Sequence, residues 1–586
     1  MKMRVSMVWL LVAVAMLAVA GCKNNAANNG VPTISVQPAS QTTVTAGATV
    51  TFTVTASGSG TLAYQWFKNG VSVSGANSSS YNTGVLSILD NNDFFFVYIS
   101  NNVGSVESNV ANLTVNPATG TTTFHSDNAR TGLNPNESTL APGNVNLAGF
   151  GKVGFFPVDG AVDAQPLYLS EVNVPGKGVH NILYVATEND SVFAFDAYSG
   201  AVLWRANVAA AGETPGDNSA CNPDSPNAGV SATPVIDPTR GPNGAIYLIA
   251  KSRDDAGATY ERLHALDVST GAELFDGPAE IPAALSGSPW AFDAAKLKAQ
   301  DGLLVSNGSV YAAWSSPCGP ASSNASSTGV AFVMAFDAEN LDITGKLNPL
   351  LVGLQASSPA KGGTISADDS DKLYLSGIGS IRMFVMGKKD PGVPSDENIA
   401  AGPVILLPDT IDQSGKIWRL AVNAGADGNI YVLNRIGSGL NSNGPLQKLD
   451  GVFPTGAAIG GLAYFNNTVY VAATGSGVRA FALVNARLSS DPTSETSGEF
   501  GQGGASISVS ASGSAGAIVW VLEGGDSGVL HAYDGADLSY EIYNSKQARN
   551  GRDEFGPGNA SAMPLVVNGR VYVVGANGVA VFGLLK

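Results

Sequence analysis

The chain has 586 residues, of which 70 are glycine and 44% are hydrophobic, while 13% are charged and the formal net charge is −16. The apolar content is ample for large buried cores and excludes a disordered chain. The acidic balance excludes a nucleic-acid-binding protein, which needs a basic footprint, and the length leaves room for several domains.

The start of the chain predicts a lipoprotein signal peptide, residues 1–21. Two basic residues precede an apolar run over residues 8–20, which is the arrangement of a secretory signal. Residues 19–22 read Val-Ala-Gly-Cys and resemble the lipobox of bacterial lipoproteins. This resemblance implies cleavage before Cys22 and lipidation of its thiol, which would anchor the protein to a membrane. The alternative is an ordinary signal peptide that contains a cysteine by chance.

The chain contains three cysteines. With Cys22 lipidated, Cys221 and Cys318 remain as an even pair in an oxidising compartment, where disulfides form and persist. We predict a disulfide between these two residues. The alternative is two unpaired thiols in loops.

A flexible tether over residues 22–31 leads into a small all-β domain at residues 32–115. Apolar and polar residues alternate at positions 50–54 and 62–66. Turn residues separate such runs at short intervals, which is the pattern of short antiparallel strands. Residues 116–122 are small and polar apart from one proline and predict a linker.

Two motifs identify this all-β segment further: Tyr-Gln-Trp-Phe-Lys-Asn-Gly at residues 64–70 and Ser-Asn-Asn-Val-Gly-Ser at residues 100–105. With them the segment resembles an immunoglobulin-like domain of bacterial surface proteins. The resemblance places Trp66 at the core tryptophan. Val54 and Val97 stand where many family members carry the inter-sheet cysteines, so packing alone must hold this β-sandwich together.

Residues 123–586 contain an internal repeat. Its clearest copy joins apolar runs at residues 183–187, 192–196 and 202–204 through two turns, and a further apolar strand often precedes such a copy. Units of four short strands recur eight times, which predicts an eight-bladed β-propeller. The last unit lacks its outer strand, and residues 152–158 could supply it and so join the two ends of the ring.

The repeats resemble those of β-propellers related to pyrroloquinoline quinone (PQQ) enzymes. Those blades carry a docking pattern of alanine, glycine six residues later and tryptophan four residues further on. Ala194, Gly200 and Trp204 match this pattern in full, and another unit carries Phe275 in place of the tryptophan. The predicted fold class is therefore all-β, an immunoglobulin-like sandwich followed by a propeller of PQQ-like repeats.

The same resemblance implies a quinone at the ring centre, a vicinal cysteine pair above it, and Glu, Asn and Asp ligands for Ca²⁺. The sequence has no adjacent cysteines, and no motif identifies the ligands or a catalytic base. We therefore predict no catalytic residue, metal site or cofactor, with PQQ and Ca²⁺ as the alternative. Asp368, Asp369 and Asp371 lie close together, but they lack the later glutamate of a Ca²⁺ loop and predict a solvated turn.

Two recurring patterns have structural interpretations. His264 and His531 occupy the same position in their repeats, where Phe or Met stands in other units, which indicates a packing slot. An aspartate also ends the same strand in four units and precedes a turn, where its side chain can accept hydrogen bonds from local backbone amides. These aspartates are Asp196, Asp267, Asp337 and Asp534.

The favoured function is binding or scaffolding at the cell envelope, with a protein or glycan partner, a lipid anchor in the membrane and no nucleic acid. Lys23 rather than aspartate follows Cys22, which by the sorting rules of bacterial lipoproteins favours the outer membrane, with the propeller facing the periplasm or the cell surface. The competing class is an enzyme, either a PQQ-dependent dehydrogenase or another propeller enzyme.

Overall fold

A computed structural model describes residues 30–585 apart from 46–48, 87–89, 91, 117–118, 218, 220–225, 285–290, 300–301, 316–331, 347–364, 369–371, 378–379, 386–401, 436–444 and 502–503. The chain divides into two compact units, one built mainly from residues before 115 and the other from residues 115 onward. Cys22, Cys221 and Cys318 lie outside the described residues, as does the predicted signal peptide. In the described part of the chain, no helix is long and apolar enough to cross a membrane.

The first unit is a β-sandwich. Its strands are β1 (Thr33–Val36), β2 (Gln41–Thr45), β3 (Thr49–Thr53), β4 (Thr55–Ser57), β5 (Ala63–Lys68), β6 (Val71–Ser72), β7 (Ser80–Val85), β8 (Phe94–Ser100), β9 (Ser105–Glu107) and β10 (Ala111–Asn116). The larger sheet has the order β2-β10-β8-β5-β6, with β9 beside β8, while β3 pairs with β7 and β1 with β4.

The core of this sandwich is built around Trp66. The Trp66 side chain is fully buried, and its indole N–H donates to the carbonyl oxygen of Ser78 over 2.9 Å. Val54 and Val97 are also buried, so apolar packing fills the positions where related domains carry cysteines. The immunoglobulin-like prediction is confirmed.

The second unit contains, in its described residues, eight sheets of at least three strands, numbered here in chain order and antiparallel apart from one parallel pair in sheet 7. Three early strands pair with the edges of sheets 1, 7 and 8, respectively: β11 (Gly120–Thr121), β12 (Leu133–Asn134) and β13 (Phe150–Pro157). Sheet 1 has β14 (Leu167–Val174), β15 (Gly178–Ala186), β16 (Ser191–Asp196) and β17 (Val202–Asn207). Sheet 2 has β18 (Thr214–Asp217), β19 (Asn227–Ala228), β20 (Val235–Asp237), β21 (Ala245–Arg253), β22 (Thr259–Asp267) and β23 (Ala279–Glu280).

Sheet 3 has β24 (Lys298–Ala299), β25 (Leu304–Ser306), β26 (Ser309–Ser315), β27 (Phe332–Asp337) and β28 (Ile343–Lys346). Sheet 4 has β29 (Ile365–Ala367), β30 (Lys372–Gly377) and β31 (Ser380–Val385). Sheet 5 has β32 (Val404–Leu406), β35 (Leu420–Ala424), β36 (Ile430–Asn434) and β37 (Gln447–Leu449), and a separate hairpin of β33 (Thr410–Ile411) and β34 (Ile417–Trp418) interrupts it.

Sheet 6 has β38 (Ile459–Phe465), β39 (Thr468–Ala473), β40 (Arg479–Val484), β41 (Arg487–Leu488) and β42 (Ser494–Glu495). Sheet 7 has β43 (Ala505–Ser512), β44 (Ala515–Glu523), β45 (Val529–Asp534) and β46 (Asp537–Asn544), and it is followed by two 3₁₀ turns at Ser545–Gln547 and Arg549–Gly551. Sheet 8 has β47 (Leu565–Val567), β48 (Arg570–Gly575) and β49 (Gly578–Leu584).

Each sheet packs against the next one in the chain. Clusters of buried apolar side chains join every consecutive pair of sheets, and a further cluster, which includes Phe195 and Val581, joins sheet 8 to sheet 1. A single sheet would leave these apolar faces in water, so closure of the ring completes the core. The predicted β-propeller is confirmed.

Strand β13 closes the ring. It runs antiparallel to β49, with Phe150 opposite Leu584 and Pro157 opposite Gly578. Residues that precede the first sheet therefore supply the outer strand of the last one, as the sequence predicted. Because the two ends of the domain share one sheet, that four-stranded sheet is complete only when both are present.

The centre of the ring is filled by residues 119–137, here called the central segment. It makes at least one hydrogen bond to each sheet, and almost all of these bonds involve the innermost strand or its flanking residues. The contacts in order around the ring are Thr119 to Ser170, Thr122 to Ile236, Thr123 to Leu303, Asn128 to Ala367, Ala129 to Leu406, Thr131 to Tyr464, Gly132 to Val509 and Asn134 to Val566. Residues 120–121, which the sequence assigned to the linker, pair with β14.

The two faces of the ring are defined by their turns. The upper face carries the turns that join the second and third strands of each sheet, together with the segments that lead into the innermost strands. The lower face carries the turns that join the first and second strands. The tip of the central segment, Phe124 and His125, packs toward the upper end, against Gly302 and Gly461.

Candidate functional site

A partly buried cluster of charged side chains lies at the upper end of the ring centre. The Lys298 Nζ atom is 3.2 Å from Asp163 Oδ2 and 3.1 Å from Glu188 Oε1. The Asn559 side-chain amide donates to Asp163 Oδ1 over 2.9 Å. This cluster, called the channel-mouth cluster below, brings together residues from sheets 1, 3 and 8.

The position of each member follows from the repeat. Asp163 and Asn559 lie in the segments that lead into innermost strands β14 and β47, Lys298 begins sheet 3, and Glu188 lies in the turn between β15 and β16. In a sheet with antiparallel order these segments reach the same end. The ring therefore brings residues that are far apart in the chain close together at the upper end of its axis.

Glu188 is the most enclosed member. Its side chain is 2% exposed, and its Oε2 atom accepts hydrogen bonds from the Gly229 backbone N–H over 2.7 Å and from the Ser231 hydroxyl over 2.8 Å. Burial raises the pKa of Glu188 to about 7, and the nearby charge of Asp163 adds to this rise. Glu188 can therefore gain or lose a proton near neutral pH.

Lys298 sets the charge state of the rest of the cluster. Burial alone would raise the pKa of Asp163, but the charge of Lys298 together with hydrogen bonds from Glu188, Lys298 and Asn559 outweighs it and holds that pKa below its usual value. In the same way, burial disfavours the charged ammonium, yet the charges of Glu188 and Asp163 outweigh it and raise the pKa of Lys298. Asp163 and Lys298 therefore favour their charged forms and make an ion pair, and the same ammonium group also contacts the carboxyl group of Glu188.

Asp190, beside the cluster, is a second acid with a raised pKa. Its side chain is fully buried, and its two carboxyl oxygens have no hydrogen-bond partner among the described residues. Its backbone has a φ of 56°, a left-handed conformation that costs energy for most residues. Burial raises the pKa of Asp190 to about 8, with the charge of Glu188 as the next cause.

The floor below the cluster is the tip of the central segment. The backbone N–H of His125 donates to Gln165 Oε1 over 3.1 Å, while the Gln165 Nε2 atom has no partner in the described part of the chain. Burial, followed by the charge of Arg130, lowers the pKa of His125 to about 3. His125 is therefore a neutral ring at physiological pH and adds no charge to the ring centre.

The channel-mouth cluster does not fit PQQ with Ca²⁺. A divalent cation needs several oxygen ligands around it, but the Lys298 ammonium already lies between the two carboxylates that face the ring centre. No group of three or more His, Cys, Asp or Glu side chains among the described residues is arranged to hold a metal ion. The carboxyl groups instead interact with the Lys298 ammonium, and the pKa of Glu188 is raised.

Two residues of the predicted docking pattern, Ala194 and Trp204, lie between sheets 1 and 2, whereas Gly200 faces Phe156 of β13 in sheet 8. Ala194 is fully buried in β16, and Gly200 has a φ of +72° at the following turn. Trp204 is buried, and its indole N–H donates to the carbonyl oxygen of Val268 in sheet 2 over 3.1 Å. The Trp204 ring lies so close to Gly271 that a Cβ atom there would be 2.5 Å from it.

The other predicted residues are spread over the ring. His264 and His531 both place Nδ1 near a glutamate of the same sheet, at 3.0 Å from Glu273 and 2.7 Å from Glu541. The predicted turn bonds of the aspartates are confirmed by backbone N–H donors at 2.8 to 2.9 Å from Asp196, Asp267, Asp337 and Asp534.

Asp369 and Asp371 lie outside the described residues. Asp368 accepts a hydrogen bond from the Tyr374 hydroxyl over 2.9 Å and pairs with Arg435 over 3.1 Å, so its carboxylate is engaged in packing sheet 4 against sheet 5.

Sequence reasoning missed the channel-mouth cluster. Its members are single polar residues in four different turns and strand starts, and no motif links them. The one available signal was the pair of acids Glu188 and Asp190 in a turn between two strongly apolar strands, where a solvated turn was the simpler interpretation.

Comparison with known proteins supports the description of the first unit. Residues 31–119 match the family described as "Immunoglobulin domain". A comparison with curated protein sequences finds no match.

Solved structures similar to the chain include the quinohemoprotein alcohol dehydrogenase ADHIIG from Pseudomonas putida HK5, which is 14% identical, with a TM-score of 0.45, covering 79% of this chain and 80% of that one. BamB from Moraxella catarrhalis is 12% identical, with a TM-score of 0.28, covering 74% of this chain and 99% of that one. At these identities and TM-scores the similarities carry no argument about function.

Proposed function

We propose that the protein is an exported, lipid-anchored binding or scaffold module, in which the propeller presents its faces to a protein or glycan partner at the cell envelope. The observation that carries this proposal is the central segment, which is hydrogen-bonded to every sheet. A ring whose centre is filled by its own chain offers turns and loops on its two faces as its main accessible surfaces, and such surfaces are where propellers bind partners.

The state of the channel-mouth cluster agrees with this role. Asp163 and Glu188 are both engaged by Lys298, and Glu188 is engaged further by Gly229 and Ser231. These interactions hold four segments of the upper face in fixed positions. A rigid surface loses little conformational entropy on binding, which favours affinity.

A test of the proposal starts with the anchor. Metabolic labelling of the full chain with radioactive palmitate, with Cys22→Ser as the control, reports lipidation, and membrane fractionation reports its location. Photo-crosslinking residues placed at upper-face and lower-face turns then report partner contacts in intact cells. Lipidation together with crosslinks confined to one face supports the proposal. A soluble protein with no crosslinks on either face would overturn it.

The competing proposal is a propeller enzyme, and one observation favours it. Glu188 and Asp190 are buried acids whose pKa values are raised to about 7 and about 8, and strongly perturbed acids in a concave site are often catalytic. Calorimetric titration of the full chain with PQQ and Ca²⁺ separates the two classes. Stoichiometric binding would favour the dehydrogenase, and heats equal to those of dilution would remove it.

A further inference from the structure

A cavity on the lower face, on the side of the ring away from the channel-mouth cluster, has no assigned role. It has a volume of 430 Å³ and lies between the lower turns of sheets 6 and 7. Its walls are formed by three turns: the turn between β38 and β39, the turn between β43 and β44, and the turn after β45. Ligand pockets have volumes of about 300 to 1,000 Å³, so this cavity matches a small ligand of one or two rings.

The lining combines an apolar wall with neutral polar groups. Phe465, Pro142 and small alanines supply the apolar part. Hydroxyl and amide side chains supply most of the polar part, namely Thr468, Thr493, Ser494, Ser514 and Asn466. Among the described residues that line the cavity, Asp534 is the one charged side chain, and none is lysine, arginine or histidine. An anionic ligand such as a phosphate would meet no cation there and would be repelled by Asp534.

The polar groups retain both donor and acceptor capacity. The Ser494 hydroxyl oxygen accepts a hydrogen bond from the Leu538 backbone N–H over 3.2 Å, so its own proton is available to donate. The Thr493 hydroxyl donates to the Ala480 carbonyl oxygen over 3.2 Å, so its lone pairs are available to accept. Asp534 accepts a bond from the Ala536 N–H on Oδ1, and Oδ2 remains as a strong acceptor.

The frame of the cavity is held in place by the fold. The buried Tyr470 hydroxyl in β39 donates to the Gly535 carbonyl oxygen over 2.7 Å, which ties sheet 6 to the turn of sheet 7. Asn466 and Asn467 have φ values of 45° and 60°, the left-handed conformation that a tight turn needs. The lining is therefore largely formed before any ligand arrives.

We propose that this cavity binds a neutral carbohydrate, one or two sugar units of a glycan. Sugar hydroxyls both donate and accept hydrogen bonds, as the lining side chains do, and the C–H face of a sugar ring packs on apolar and aromatic groups such as Phe465. The carboxylate of Asp534 is a strong acceptor for a pair of sugar hydroxyls. This inference names a glycan as the partner class and rests on the proposed binding function.

The test uses the full chain and saturation-transfer NMR with a panel of glucose, galactose, mannose and N-acetylglucosamine and their common disaccharides, followed by calorimetry of those that bind. Ala536→Trp fills the cavity from an exposed turn position. Its matched control is Glu339→Trp, which changes the residue at the same turn position of sheet 3, 68% exposed and outside the cavity. Melting temperatures confirm that both variants fold.

At least one sugar binds the unmodified chain and the Glu339→Trp variant, and Ala536→Trp weakens that binding tenfold or more. Thr493→Val, which keeps the side-chain shape but removes the hydroxyl, serves as a second variant if Ala536→Trp fails to fold, and it weakens binding as well. No binding by any sugar of the panel, or equal binding by the cavity-filled variant, would overturn the proposal.

Failure here is distinguishable from failure of the proposed function. Crosslinks to a protein partner on the upper face, unchanged in Ala536→Trp, would leave the binding role in place and remove only the sugar site.

Discussion

The Arg130 guanidinium donates its Nε–H to the carbonyl oxygen of Ile365 over 2.8 Å, and so ties the central segment to sheet 4. The same guanidinium reaches the carbonyl oxygens of Phe124 at 2.7 Å and Leu303 at 3.2 Å. Arg130 is 1% exposed. One buried side chain thus satisfies backbone acceptors in two neighbouring sheets and in the segment that fills the ring.

Arg130→Met is therefore expected to destabilise the propeller strongly. The change leaves buried carbonyl groups without donors, and each such loss costs about 1–3 kcal/mol. Equilibrium urea unfolding should report a loss of at least about 3 kcal/mol. The exposed Arg549→Met serves as control and should leave stability nearly unchanged. Equal effects of the two variants would contradict the role assigned to the central segment.

Ring closure by β13 gives a second prediction with an internal control. Phe150 is fully buried against Tyr543, at 4.9 Å between ring centroids, and near Trp520, whereas Phe155 on the same strand is 43% exposed. Phe150→Ala should cost about 3–5 kcal/mol of unfolding free energy. Phe155→Ala should change it by less than about 1 kcal/mol. Thermal and urea unfolding measure both, and a similar loss in each would count against closure through this strand.

The contact between Trp204 and Gly271 can be tested by adding a single methyl group. Gly271 has a φ of +71°, and a Cβ atom there would lie 2.5 Å from the Trp204 ring. Gly257 has a φ of +85° with nothing within 4 Å of its Cβ position. Both changes to alanine cost about 1–2 kcal/mol from the left-handed backbone. Gly271→Ala should cost about 1–3 kcal/mol more; indistinguishable melting temperatures would show that the tryptophan does not dock there.

Loss of Lys298 should expose the repulsion within the channel-mouth cluster. Lys298→Met removes the cation from the buried Glu188 and from Asp163, whose side chain is 34% exposed. Removing one partner of a fully buried pair costs about 3–5 kcal/mol, so the loss should lie at or below the lower end of that range. The deficit should shrink as the pH falls, because protonation of the two acids removes their charge. Lys296→Met is the matched control, since Lys296 is 82% exposed. Urea unfolding at several pH values measures both, and a deficit independent of pH would speak against this electrostatic account.

His531 predicts a pH dependence of stability whose sign follows from its neighbours. Burial alone would lower the pKa of His531, but the nearby carboxylates of Glu523, at 3.5 Å from Nε2, and Glu541, hydrogen-bonded to Nδ1 over 2.7 Å, together outweigh it and raise that pKa above its ordinary value of 6.5. A raised folded pKa means that the stabilisation is complete below pH 6.5 and is lost as the pH rises through the folded value.

The two glutamates act in the opposite direction. The interaction with His531, 3.5 Å away, holds the pKa of Glu523 below its ordinary value of 4.5. Burial alone would raise the pKa of Glu541, but its hydrogen bond with His531 helps to lower that pKa as well. Their stabilisation is present above pH 4.5 and is lost as the pH falls through the folded values. The difference in unfolding free energy between the unmodified chain and His531→Gln should therefore be largest between pH 4.5 and 6.5. A difference that grows above pH 7 would refute the assignment.

Local patterns in the sequence determined much of the architecture. Alternating strands with short turns indicated an all-β domain, and the resemblance of two motifs to an immunoglobulin-like domain placed Trp66 in its core. The repeat indicated the propeller, and the apolar residues 152–158 indicated its closure, since an outer strand was missing from the last unit. The turn aspartates were predictable because their hydrogen bonds span only two or three residues.

What the sequence could not determine depends on contacts between distant segments. Residues 119–137 have no strong periodicity, and their role as a filled centre exists only because eight innermost strands converge on one axis. Asp163, Glu188, Lys298 and Asn559 meet for the same reason, although each is a single polar residue in an unremarkable turn. Their raised and lowered pKa values arise from burial and from mutual charge. Both are properties of the assembled ring, so only the tertiary structure decided where the candidate site lies.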